Sequence, residues 1–332
     1  MPTLSHRLRH LAPLLALALM LAPPLAAPAQ AGELFWLSDS PPPKTVKSER
    51  TDEAEDKDTI HPSLKHLWVR QGDEVGSSRY LAEGDYRSTV SILDAYGQRQ
   101  VLNPAPNNGL AHTQVEYTDI GFRNAYARRE SLVGSTRLVE IAKLEVVKGC
   151  CCEHNIPPEQ ARAIVDPDQP LEIVREHLPK EDMYTRMVSG DTVRFKVYSR
   201  GLPLADVPVT MLTQQGWQRR TRTDANGQAE FTLIRDYFPH WSDFRRQKRE
   251  SFVVVAELAA AETGAWQGRK YDTLKYQATL SGKYQPSPYD YKSYALGLGL
   301  AVFVLAFGGL AVYLYRRRRV KPFQEIRFGE GA

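Results

Sequence analysis

The stretch Thr223-Asp-Ala-Asn-Gly-Gln-Ala-Glu-Phe231 (TDANGQAEF) joins a tight-turn signal to an alternating strand pattern. Asn226 and Gly227 both tolerate a positive φ, so the tetrapeptide at residues 224–227 predicts a turn between two strands. Further β-branched and aromatic runs lie on either side at short intervals: DTVRFKVYS, VPVTMLT, WQRRTR, SFVVVAEL and LKYQATLSGKY. Closely spaced strands separated by turn signals predict a Greek-key β-sandwich over residues 186–284. We expect residues 189–284 to fold as an independent domain.

The preceding region, residues 63–185, is also β-rich and carries all three cysteines. Its strand-like runs are KHLWVR, STVSILDAY, HTQVEYTD, RLVEIAKLEVV and PLEIVRE. These runs predict a second β-sandwich of the immunoglobulin or transthyretin type. The segment from Pro157 to Ala163 predicts a short helix, because proline suits a first helical position. The predicted fold class is therefore all-β, with two sandwich units.

Residues 32–62 combine a short apolar start with a polar segment. Leu34-Phe-Trp-Leu37 is strongly apolar and predicts an edge strand. Residues 38–62 are rich in Pro, Lys, Glu and Asp and bury too little surface to fold alone, so they predict a linker or an insertion. The acidic run Asp52–Asp58 is interpreted as a solvated loop rather than a cation site.

Both termini carry membrane signals. Residues 1–31 predict a signal peptide, with a basic start, an apolar run from Leu11 to Leu21 and a small-x-small site that favours cleavage after Ala31. Residues 294–315 lack charge and are long enough for one bilayer-spanning helix, preceded by a juxtamembrane linker at 285–293. The tail at 316–332 begins with four arginines, so the positive-inside rule predicts a type I protein with a cytoplasmic tail.

The formal charge of +4 reflects this topology. Removing the two leader arginines and the tail's net +4 leaves about −2 on the external part. No basic patch interleaved with aromatics remains there, so nucleic acid is excluded as a predicted partner.

Two sequence motifs carry a family resemblance. Residues 204–210 (LADVPVT) followed by TDANGQAEF resemble the pattern of transthyretin-like and carboxypeptidase-regulatory-like domains. The layout of signal peptide, Trp-containing start, YQATL strand and terminal membrane helix resembles a family of bacterial periplasmic Greek-key proteins, largely of unknown function. Some members accompany nickel and cobalt uptake systems. The resemblance implies an inner-membrane anchor with the main part in the periplasm. The predicted mature start, Gly32-Glu33-Leu34, lacks the early histidine that members often carry, so no amino-terminal X-X-His chelate is available.

The consecutive thiols Cys150, Cys151 and Cys152 raise three alternatives. Their adjacency excludes the CxxC spacing of thiol exchange and of zinc ribbons. Cys151, Cys152 and His154 could bind a copper or zinc ion, since thiolate and imidazole suit both metals. Cys150 and Cys152 could instead form a local disulfide clasp, or one thiol could pair between chains.

Histidines and aromatics complete the candidate residues. His61, His66, His112, His177 and His240 show no metal-site spacing, although His66 and His112 could join a site through the fold. An aromatic cluster beside basic residues is either a loop that caps the core or a protein contact face, and comprises Tyr237, Phe238, Trp241 and Phe244.

No nucleophile elbow, metalloprotease helix or phosphate loop is present in the sequence, so we expect no catalytic activity. The sequence predicts an accessory protein of a membrane transporter or respiratory complex, in one version handling nickel, cobalt, copper or zinc. The alternative is a structural or interaction module whose cysteines form only a clasp.

Overall fold

The structure is a computed structural model that describes residues 33–43, 63–86, 89–103, 105, 109–117, 119–149, 156–178, 181, 184–237, 249–319 and 329. The predicted signal peptide lies outside these residues. The strands are β1 Leu34–Ser38, β2 Ser63–Gly72, β3 Arg79–Tyr80, β4 Val90–Asp94, β5 Arg99–Leu102, β6 His112–Tyr117, β7 Gly121–Val133, β8 Thr136–Lys148, β9 Glu172–Arg175, β10 Thr192–Ser199, β11 Leu202–Pro203, β12 Pro208–Thr213, β13 Gln218–Arg222, β14 Gln228–Thr232, β15 Glu250–Trp266 and β16 Arg269–Tyr284. The helices are a 3₁₀ turn at Glu83–Asp85, α1 Pro158–Ala161 and α2 Pro288–Arg319.

One continuous sheet of eight strands runs through both predicted units, in the order β13-β12-β15-β16-β8-β7-β4-β5. Its neighbouring strands are antiparallel except at the centre. There β16 pairs in parallel with β8, from Thr273 opposite Thr136 to Ser281 opposite Leu144. This parallel pair joins the strands of the first unit to those of the second.

Two smaller sheets cover opposite faces of the large one. The sheet β1-β2-β3, extended by β6, covers the β8 side, where Ala142 and Leu144 point into its core. The sheet β11-β10-β14, extended by β9, covers the β16 side, where Leu280 points into the other core. Leu280 pairs with Lys143, and successive side chains of a strand point to opposite faces. The all-β prediction is confirmed, and the two sandwiches share one sheet.

The division of the chain differs from the expected one. Strand β9 precedes residue 186, yet it pairs with β10 of the second sandwich, from Glu172 opposite Tyr198 to Arg175 opposite Phe195. Residues 189–284 therefore lack one strand of their own small sheet, and β16 exposes a pairing edge without β8. An independent domain with those bounds does not match this architecture.

Three local predictions are confirmed. LFWL forms edge strand β1, paired with β2, and it is fully buried. Helix α1 has proline in its first turn. In the TDANG turn, Gly227 has a φ of 75°, and Asp224 Oδ1 accepts the backbone N–H groups of Asn226 and Gln228, each at 2.8 Å.

The C-terminal helix starts earlier than the predicted span and shortens the expected linker. It begins at Pro288, four residues after β16 ends. The part from Lys292 to Arg319 is long and apolar enough to cross a membrane. This range includes the predicted residues 294–315 and fits a membrane anchor.

Candidate functional site: a buried charged cluster and a histidine pair

Six charged side chains meet where the two sandwiches join, and we call them the junction cluster: Lys143, Glu145, Glu172, Arg175, His177 and Glu181. Lys143 and Glu145 lie on β8. They are on the same face of the shared sheet as Leu280 of β16, which pairs with Lys143. The others lie on β9 and the segment after it. The segment thus covers charged side chains of the large sheet instead of an apolar face.

The deepest contact of the cluster joins Lys143 to Glu172. Their side chains are only 2% and 1% exposed, and Lys143 Nζ lies 2.7 Å from Glu172 Oε1. The hydroxyl of Tyr126 donates to the same oxygen at 2.6 Å, and the backbone N–H of Asp166 donates to Glu172 Oε2 at 2.8 Å. Every carboxylate oxygen of Glu172 therefore has a donor, as a buried charge requires.

Arg175 forms the second part of the cluster. Its Nε donates to Glu145 at 2.8 Å, and its two terminal nitrogens donate to the two oxygens of Glu181 at 2.9 and 2.7 Å. Burial alone would raise the pKa of Glu145, but Arg175 and His177 outweigh it and hold that pKa below its ordinary value. Burial opposes the charge of Arg175 as well, yet the two carboxylates raise its pKa.

His177 is held between two acceptors. Its Nδ1 lies 2.7 Å from the carbonyl oxygen of Ala161, and its Nε2 lies 3.2 Å from Glu145 Oε1. A carbonyl and a carboxylate can only accept, so both ring nitrogens carry protons in this arrangement. Burial lowers the pKa of His177, but the hydrogen bond and charge of Glu145 raise it above its ordinary value overall. With His177 charged, the three cations of the cluster balance its three carboxylates.

A cavity of about 180 Å³ opens beside the cluster. Its wall combines Arg175, Glu145 and Glu181 with aromatic side chains from three strands: Trp36, Phe122 and Phe252. It also reaches Gln285, close to the start of α2. The cavity therefore extends from the charged cluster toward the start of the apolar helix α2.

A second constellation pairs two histidines on β2 and β6. His66 Nδ1 lies 2.9 Å from His112 Nε2, and His112 Nδ1 lies 2.6 Å from the carbonyl oxygen of Ala105. Because that carbonyl only accepts, His112 Nδ1 carries the proton and Nε2 presents its lone pair to His66. Burial lowers the pKa of His112, with the Ala105 hydrogen bond acting in the opposite direction. The ring of Trp68 lies 5.8 Å from His66 and 5.1 Å from His112, between centroids.

The predicted metal and disulfide residues, Cys150, Cys151, Cys152 and His154, lie outside the described residues. The chain on either side of them is described. Lys148 at the end of β8 pairs with Gly121, and a side chain at Gly121 would collide with Gln160 of α1. The strand end before the cysteines, at Lys148, and the helix after them, at Gln160, therefore both lie beside Gly121.

The other predicted residues fall in different places. Tyr237 is 5% exposed, its hydroxyl donates to the carbonyl oxygen of Tyr284 at 3.3 Å, and its ring meets Tyr284 edge to face. Tyr237 is thus a core residue rather than part of a contact face, because its ring fills the end of the second sandwich. Phe238, Trp241, Phe244, His61 and His240 lie outside the described residues. Within the described part of the chain, no group of three or more His, Cys, Asp or Glu residues could hold a metal ion.

Sequence reasoning missed the junction cluster, although one signal was available. Strand β8 reads TRLVEIAKLEVVK, in which Lys143 and Glu145 interrupt a strongly apolar run. Charges at alternating positions are usually assigned to a solvent face. Here residues 161–178 and Glu181 cover that face.

No family model matches the chain, and no curated protein matches it. Solved structures that the chain resembles include a bacterial ice-binding adhesin, at 15% identity and a TM-score of 0.21 over 68% of this chain and 58% of that one. The D00-D0 domain of Intimin matches at 12% identity and a TM-score of 0.19, covering 76% of this chain and 100% of that one. The BSP domain of a biofilm-associated protein matches at 10% identity and a TM-score of 0.17, covering 69% and 28%. The chain thus spans little more than half of the adhesin chain.

Proposed function

We propose that this chain is a non-catalytic, membrane-anchored scaffold that holds a rigid β-structure at the periplasmic face of the inner membrane, as an accessory to a transporter or respiratory complex. One observation carries the proposal: the last core strand passes into the apolar helix α2 with almost no linker. The scaffold is therefore coupled mechanically to its anchor.

The contacts at the base of α2 support that coupling. Asp290, in the first turn of the helix, accepts a hydrogen bond from Ser189 Oγ at 2.8 Å and lies 3.4 Å from Arg235. Ser189 Oγ also accepts the backbone N–H of Ser287 at 2.8 Å. The guanidinium of Arg235 lies 5.3 Å from the ring centroid of Tyr294, one turn further along α2. These contacts fix the direction in which the helix leaves the sandwich.

Orientation is tested by cysteine labelling in a full-length background in which Cys150, Cys151 and Cys152 are replaced by serine. Ser135 lies in the exposed turn between β7 and β8, and Glu330 lies in the basic tail. With a membrane-impermeant maleimide on spheroplasts, S135C should be labelled at once and E330C only after lysis, because the arginines that follow the span retain the tail inside. The reverse pattern would overturn the orientation, and a chain recovered in the soluble fraction would overturn the anchor.

Metal handling is a second candidate function, and the convergence of the cysteine-bearing connection on Gly121 favours it. A short connection whose ends lie together can bring Cys151, Cys152 and His154 around one ion of nickel, cobalt, copper or zinc. The same geometry supports a Cys150–Cys152 clasp. Metal analysis of the reduced protein separates the two. Binding in the parent chain that both H154A and C152S abolish supports a site, whereas a parent chain that binds no metal, with unchanged stability in H154A, supports the clasp.

A further inference from the structure

We propose that His66 and His112 form a site for a single Cu(I) ion, bound between Nδ1 of His66 and Nε2 of His112. The site goes beyond the scaffold role and is separate from the cysteine-bearing connection. It uses only described residues on the two paired strands β2 and β6.

His112 already has the arrangement of a metal ligand. Its Nδ1–H donates to the carbonyl oxygen of Ala105 at 2.6 Å, which fixes both the tautomer and the orientation of the ring. Such a hydrogen bond from the second ring nitrogen is the usual outer contact of metal-bound histidines. The lone pair of Nε2 is then directed at His66, where a proton of the Nδ1–H group now occupies the space between the rings. Cu(I) would take the place of that proton, which would move to Nε2 of His66 as the ring changes tautomer and stays neutral.

The number of ligands selects the ion. Zn(II) sites have four ligands, and Ni(II) favours square-planar or tetragonal sites. Cu(I), a closed-shell monovalent ion, is stable with two nitrogen ligands in a line. With metal–nitrogen bonds of about 2 Å the two nitrogens would stand about 4 Å apart, compared with 2.9 Å between them now. An opening of this size requires movement of one ring only.

The surroundings allow that movement and suit a monovalent cation. His112 is 3% exposed and its Nδ1–H is held by Ala105, whereas His66 is partly exposed, so His66 is the ring that would move. The indole of Trp68 stacks on His66 at an interplanar angle of 23°. Trp68 is 4% exposed and also lies 5.1 Å from His112 between ring centroids. An aromatic ring thus borders both ligands, where it would favour a monovalent cation.

The test uses the full-length chain in detergent with Cys150, Cys151 and Cys152 replaced by serine, so that thiols contribute nothing. Cu(I), kept reduced by excess ascorbate, is titrated in competition with a coloured Cu(I) chelator. We expect one Cu(I) per chain and a loss of affinity of at least tenfold in H66Q and in H112Q. H61Q, which removes a histidine outside the pair, should bind like its parent. X-ray absorption should report two nitrogen ligands.

The H66Q variant decides the question, because a partly exposed residue can be replaced without loss of folding, whereas H112Q alters the core. Unchanged Cu(I) binding in H66Q, or no binding once the cysteines are gone, would overturn the site. Equal binding of Zn(II) or Ni(II) that H66Q abolishes would overturn the assignment to Cu(I). None of these results changes the labelling pattern of S135C and E330C, so failure of this site is distinguishable from failure of the scaffold proposal.

Discussion

Two regions on the same face of the shared sheet differ in polarity: one is apolar and the other is charged. Beneath β10 and β14, the face contributes Phe252, Val254 and Leu280 to an apolar core. One strand further, Lys143 stands beside Leu280 and the face becomes the charged junction cluster. The apolar region gains stability from burial in proportion to area. The charged region requires every partner in place, since removal of one leaves a buried charge without compensation.

The largest loss of stability is expected when the charge of Lys143 is removed. K143M keeps much of the volume but leaves Glu172 buried without its cation, and we expect a loss of roughly 3–5 kcal/mol in the free energy of unfolding. Urea denaturation of the full-length chain measures it. The matched control is R194M, which breaks the exposed pair Arg194–Glu230 and should cost at most about 1 kcal/mol.

The double variant K143M/E172L tests how much of the loss comes from the unpaired charge of Glu172. Replacement of both partners by apolar groups is often neutral or stabilising, but leucine at position 172 also removes the acceptor of the buried Tyr126 hydroxyl and of the Asp166 N–H. The second substitution should therefore restore only part of the loss. If the double variant is as unstable as the single one, the pair does more than balance its own charges.

The apolar region depends on the TDANG turn, and the next largest effect is expected there. In G227A the new Cβ would lie 2.9 Å from the carbonyl oxygen of Val197 and 3.0 Å from the nitrogen of Leu204, at a φ of 75°. Gly216 also has a positive φ, but a Cβ there meets nothing within 4 Å. We therefore expect G227A to destabilise by roughly 2 kcal/mol and G216A by roughly 1 kcal/mol, the latter from backbone strain alone. Equal losses in thermal unfolding would show that the close approach at Gly227 is relieved by movement.

The smallest expected effect is the pH dependence of the junction cluster. The pKa of His177 is raised in the folded protein, so its stabilising charge is fully present below the unfolded pKa of about 6.5 and is lost as pH rises through the folded pKa. Stability should therefore decline on the alkaline side of about pH 6.5. The decline should be absent in H177Q.

His112 should change stability with pH in the direction opposite to that of His177, which provides an internal control. Its pKa is lowered in the folded protein, so its contribution is present above the unfolded value and is lost as pH falls through the folded one. H112Q should thus flatten the acidic side of the stability profile below about pH 6.5 and leave the alkaline side unchanged. An alkaline decline that persists in H177Q would assign it to another group.

Several features were predictable from local sequence because local physics determines them. The turn at Asp224–Gly227 follows from residues that accept positive φ and from a carboxylate that caps its own turn. The membrane-length helix follows from an uninterrupted apolar run. The burial of β1 follows from LFWL, whose alternate residues enter two cores: Phe35 and Leu37 in one, Leu34 and Trp36 in the other.

The sequence by itself therefore determined the all-β class, most of the strands, the turn and the apolar helix, since each depends on neighbours along the chain. Strand β7, Gly121–Val133, is not among the predicted runs. Tertiary structure alone decided the continuous sheet, because the parallel pairing of β8 with β16 joins segments more than a hundred residues apart and no local pattern records it. It also decided the sites. Lys143 and Glu145 alternate as solvent-facing residues would, and only the segment around Arg175 and His177 makes them buried. Likewise His66 and His112 meet only because β2 and β6 are adjacent in their sheet.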